Sequence, residues 1–63
     1  MRNYIQLSTG LVVSFNDTLN DHHKEHTVSD DVMIKFEGEC TDVETFSFSN
    51  KDVICIWTRD MTK

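Results

Sequence analysis

The sequence predicts an all-β protein: a small five-stranded antiparallel sheet, bent or closed into a barrel, built from two hairpins plus a central strand. Three observations carry this expectation. Apolar and polar residues alternate with the two-residue period of a half-buried strand, clusters of Ser, Thr, Asn and Gly separate the alternating runs, and the last run is apolar on both faces. The 63 residues suffice for one domain, 1–63, interrupted by a polar excursion at 16–30. A chain this short buries only about 60% of its unfolded surface, so a single core leaves little stability in reserve.

The elements follow in order. In 3–7, Ile5 and Leu7 share one face, and in 11–16, Leu11, Val13 and Phe15 do the same. Ser8-Thr9-Gly10 between them fits a three-residue hairpin loop, which needs a positive φ near its end that glycine adopts without steric cost. Segment 31–37 alternates most cleanly, with Val32, Ile34 and Phe36 inward and Met33, Lys35 and Glu37 outward. Segment 43–49 sets Phe46 and Phe48 on one face, and 52–58 follows Ser49-Asn50-Lys51 as the other arm of a second hairpin. In that last run Val53, Cys55 and Trp57 oppose Ile54 and Ile56, a pattern that asks for a central strand, a barrel strand or a subunit contact rather than an exposed edge. The expected core therefore includes Phe36 and all of 53–57.

The excursion holds only two aliphatic residues, Leu19 and Val28. A structureless connection of this length is uncommon in a small domain, so a short helix near 17–26, capped by Asn16 or Asp17, competes with a loop or irregular strand extensions. It would change the class to α+β. Its stripe of Leu19, His23 and His26 is too weakly apolar to dock firmly. On such a helix His22 and His26 lie one turn apart, a spacing at which two imidazoles share a zinc or nickel ion, with Asp21, Glu25 or Cys40 completing the set. The competing reading is a solvated polar loop that titrates near neutrality. No cofactor is expected. Cys40 and Cys55 lack a second cysteine at metal spacing and no apolar leader precedes them, so reduced thiols in an intracellular protein are expected, with Cys55 a small buried hydrophobe.

Charge is more informative than any motif. Eleven acidic residues against six basic give a formal −5, which argues against direct binding of nucleic acid through its phosphates. Residues 16–44 hold nine carboxylates against Lys24 and Lys35, a regional −7, while the two ends sum to +2. Catalysis finds no support, because no nucleophile has a recognisable base and orienting group, and a sheet of this size has little room for a closed pocket. The protein is not expected to be an enzyme. Exposed aromatics on strands can stack on RNA bases, but the accompanying basic residues are missing here, which leaves Tyr4 and Trp57 as interface anchors.

The leading expectation is a small acidic protein-binding module with no membrane segment, an inhibitor of the kind that a phage or mobile element directs against a nucleic-acid-handling or defence protein. Asp30, Asp31, Glu37, Glu39, Asp42 and Glu44 would meet its basic surface, in the manner of a nucleic-acid mimic. A homodimer fits the double-sided last strand. The alternatives are an oligomeric β-barrel that binds RNA or a small ligand, and a metal-responsive protein using the histidines.

Overall fold

The computed structural model describes residues 2–20 and 22–59, and it is all-β. Among the described residues seven strands form: β1 (Arg2–Leu7), β2 (Val12–Phe15), β3 (Glu25–Val28), β4 (Val32–Phe36), β5 (Glu39–Val43), β6 (Phe46–Ser49) and β7 (Val53–Arg59). Five make an antiparallel sheet in the order β5-β4-β2-β1-β7, and β3 and β6 make a two-stranded ribbon. The large sheet is open, so of the two expected forms it is the sheet and not the barrel, with neither edge strand paired on its outer side among the described residues.

The first hairpin forms as its sequence requires. Gly10 takes φ +94°, its N–H donates to the Leu7 carbonyl at 2.9 Å, and the Leu7 N–H donates to Leu11 at 2.8 Å. The second hairpin of the large sheet is β4–β5, turned by Glu37 and Gly38, both at positive φ (53° and 88°). A two-residue loop with this backbone matches the right-handed twist of its strands. The expected pairing of 43–49 with 52–58 does not form. Ser49 leads instead into a 3₁₀ turn, Asn50–Asp52, which sends the chain from the ribbon back to the large sheet. There β6 pairs with β3 and β7 with β1, so the last strand lies at an edge and β2 at the centre.

Cross-strand partners share a face, so the register sorts the side chains. Ile5, Val13 and Ile34 align on the inner face with Thr41 and Ile56 at its margins, and Phe15 lies beside Asn3. The ribbon covers this face with His26 and Phe48, then Val28 and Phe46, while Thr27 and Ser47 face outward and hydrogen-bond at 3.0 Å. The resulting core is Ile5, Leu7, Val13, Phe15, Val28, Val32 and Phe48, with Phe15 and Phe48 rings 6.3 Å apart. Four residues expected inside are not: Phe36, Ile54 and Ile56 are 44%, 62% and 50% exposed, and Cys55 is exposed as well. The buried residues thus gather on the middle strands, and the turn end of β4 and the edge strand β7 are left largely uncovered.

Among the described residues of the excursion there is no helix, which corrects the α+β alternative. Its first part is irregular and its second is β3, in which His26 and Val28 are buried and Glu25 and Thr27 exposed. Asp17 fastens the irregular part by accepting backbone N–H bonds from Ser29 and from Asp30, the latter at 3.0 Å, and the Asn3 side chain donates to its carbonyl at 2.8 Å. Those two backbone donors hold the Asp17 carboxyl below its ordinary pKa.

Candidate protein-interaction site

The six carboxylates expected to contact a partner sit on or beside the β4–β5 hairpin. Glu37 is in its turn and Glu39 opposes Phe36 at the turn end of β5. Asp42 opposes Met33 on the outer face, and Glu44 follows β5 at the other end, where Asp30 and Asp31 enter β4. All six residues are exposed. They line one edge of the sheet from end to end and occupy both of its faces. Five strand residues at about 3.4 Å each give this edge a length of roughly 17 Å.

Asp31 differs from the other five. Arg2, 9% exposed, donates through Nη1 to the Asp31 carboxylate at 2.5 Å and through Nη2 to the Asp31 carbonyl at 2.8 Å and to Ser14 Oγ at 3.0 Å. Asn16 adds a donor to the same carboxylate at 3.0 Å. The charge of Asp31 is thus balanced internally, and its φ of 54° is held by a side chain from β1. This carboxylate works chiefly as a clamp between strands, and Glu37, Glu39, Asp42, Glu44 and Asp30 supply the outward field.

Tyr4 and Trp57, the expected anchors, are neighbours on the outer face. They stack on each other at 5.5 Å with planes 7° apart, and the Arg59 guanidinium lies 5.7 Å above the Tyr4 ring. Beside them the sheet curves into an open depression of about 400 Å³ lined by Arg2, Tyr4, Val12, Met33 and Lys35. Their adjacency follows from the β1–β7 pairing, which replaces the expected pairing of 52–58 with 43–49.

The histidine pair is not assembled as the helical spacing suggested. His22 is exposed in the irregular segment, whereas His26 is buried on β3, stacked 5.0 Å from Phe48, with its Nε2–H donating to Asn50 Oδ1 at 2.7 Å. Asn50 in turn donates to the carbonyls of His23 at 2.5 Å and Lys24 at 2.8 Å. His26 therefore joins the ribbon to the 3₁₀ turn. Asp21, named as a further ligand, lies outside the described residues, and among those described no group of three or more His, Cys, Asp or Glu could hold a metal ion.

Both cysteines are exposed, which corrects the burial expected of Cys55. They lie on β5 and β7, four strand spacings or about 19 Å apart, well beyond the reach of a disulfide within one chain. Among the described residues no helix is long and apolar enough to cross a membrane. The site belongs to a class defined by its fold alone: an open antiparallel sheet, half covered by a ribbon, with an acidic edge and an apolar edge. No protein-family model, curated protein or solved structure matches the chain.

Proposed function

We propose that the protein is an intracellular, non-enzymatic protein-binding module that presents the β4–β5 edge to a basic surface, acting as an inhibitor of a nucleic-acid-handling protein. The observation that supports this most is the concentration of exposed carboxylates along one sheet edge, with Lys35 the one basic residue on the hairpin. Carboxylates spaced along an extended edge offer a basic groove a row of negative charges, and such a field speeds encounter as well as binding. The partner is a protein whose Lys and Arg side chains ordinarily meet phosphates.

The test reverses charge without touching the clamp. In Glu37→Lys, Glu39→Lys, Asp42→Lys the Arg2–Asp31 pair is intact, and all three altered side chains are exposed. Tagged wild-type and triple-variant protein are used to capture partners from host lysate at low and high salt. The proposal expects a nucleic-acid-handling protein to be captured by the wild type, weakly at high salt, and lost by the folded variant. Equal capture by the folded triple variant sinks it.

A further inference from the structure

We propose that β7 is a self-association edge, by which two copies of this chain pair antiparallel about a two-fold axis into one continuous sheet. This goes beyond the acidic hairpin and uses the opposite end of the sheet. Among the described residues β7 pairs only with β1, so one side of a seven-residue strand is open.

The hydrogen-bond register shows which groups are free. The Leu7 N–H bonds to Leu11, so Asn3, Ile5 and Leu7 direct their backbone groups to β2, and Arg2, Tyr4 and Gln6 direct theirs to β7. Their partners Arg59, Trp57 and Cys55 therefore face β1. The backbone groups of Ile56 and Thr58 face outward. A bulge where Gln6 and Leu7 meet Cys55 and Val53 confines the regular edge to the second half of β7, which contains both of these residues.

The side chains along this edge suit a second copy. Ile54 and Ile56 are more exposed than any other large aliphatic side chain described. A groove of about 410 Å³ lined by Leu19, Ile56, Thr58 and Asn16 runs beside Ile56 on the inner face. Pairing centred on Ile56 sets it between Ile5 on β1 and the partner's Ile56, and sets Ile54, which has no partner on β1, against the partner's Thr58. Arg59 then falls opposite the partner's Val53, one residue from the partner's Asp52. Unlike charges thereby meet at both ends of the pair.

Charge also selects this edge over the other. Each copy carries −5, concentrated around β4 and β5. Pairing through β7 places the two β5 strands nine strand spacings apart, about 43 Å, several Debye lengths at physiological salt. Pairing through β5 would bring Glu39 and Asp42 against their own kind.

The test measures mass and proximity on the full chain. Sedimentation across a concentration series is expected to give a monomer–dimer equilibrium, and Ile56→Lys is expected to raise its dissociation constant by about tenfold or more. Ile54→Lys, at the most exposed position, serves as a second variant should Ile56→Lys not fold. In Cys40→Ser protein a short bis-maleimide should link Cys55 to Cys55, since cross-strand and diagonal neighbours lie within about 8 Å. A monomer at every concentration up to about 1 mM, an equilibrium unmoved in the folded lysine variants, or wild-type cross-links joining Cys40 to Cys55 would each overturn the proposal. The last outcome would show head-to-tail pairing of β5 with β7. Loss of capture by the acidic-edge variant is a separate readout, so the two proposals fail independently.

Discussion

β5 and β7 close the two ends of one sheet, and each has a side with no strand paired to it among the described residues. β5 has five residues, two of them acidic, and begins directly after a tight turn. β7 has seven, and its exposed side chains include two isoleucines. Charge and brevity are the usual means by which a sheet edge refuses a stray strand, and β5 has both. β7 has only the bulge near its start. A protein that protects one edge and leaves the other apolar gains directionality: it can grow through β7 and stop at β5. With two copies joined at β7, the acidic hairpins stand at opposite ends of the assembly, and a partner with two basic sites would meet a divalent ligand.

The most damaging way to break this comparison is to make β5 resemble β7. Replacing Glu39 and Asp42 by valine removes the charges that guard that edge while leaving its backbone pairing intact. With two permissive edges the pairing no longer closes, because β5 of one copy can accept β7 of the next without limit. Light scattering should show an apparent mass that climbs with concentration well past the dimer. A variant that keeps the wild-type mass would mean that something other than charge protects β5.

What the sequence disclosed and what it hid follow the same division. The β1–β2 hairpin was legible because Gly10 marks the loop and the flanking alternation is strong. β4 was legible for its alternation, but Glu37 looked like its last outward residue when it is the first residue of a turn. β5 was missed because Glu39-Cys40-Thr41-Asp42-Val43 has a single inward aliphatic residue, and β3 because His26 takes the place of one. Local reading joined 43–49 to 52–58, whereas the real partners of β6 and β7 lie 18–24 and 46–57 residues away. Pairing of that kind is set by which faces must be covered, and nothing in a single run of residues states it. The double-sided apolarity of 53–57 was visible from the start, as was its demand for a central strand, a barrel or a subunit. The fold removes the first two by placing β7 at the edge of an open sheet, and the third is what the self-association proposal puts to test. The acidic residues were visible as a window in sequence, but only the hairpin shows that they share an edge, and only Arg2 shows that Asp31 is already engaged.

A smaller effect separates the edges by stability. Gly38 sits at φ +88°, where any side chain is strained although the space around it is open. Gly38→Val should therefore cost about 1–3 kcal/mol, which for a domain of this size lowers Tm by about 4–8 °C per kcal/mol. The loss should fall mainly on β5, with amide exchange quickening at Cys40 and Thr41 while β1 and β7 keep their protection. Uniform acceleration across the sheet would show that the acidic hairpin is not a separable part of the fold.

The smallest effect concerns the surroundings of β7 and depends on pH. Asp17 lies in the groove beside Ile56 and Thr58, and its backbone donors from Ser29 and Asp30 hold its pKa below the ordinary value of 3.8. A carboxyl with a lowered folded-state pKa stabilises the fold above its unfolded value, and that contribution disappears as the pH falls through the lowered one. Asp17→Asn should thus melt somewhat below the wild type at pH 6, and the gap should close as both are acidified below 3.8. The side chain is exposed to solvent and screened, so the shift is small. Its location matters more than its size: loosening 16–19 alters the wall of the groove next to β7 and leaves the β4–β5 edge untouched. In Asp17→Asn the dimer should therefore weaken slightly at pH 6 while capture of a basic partner is unchanged. If capture weakens and self-association does not, the assignment of the two edges is reversed.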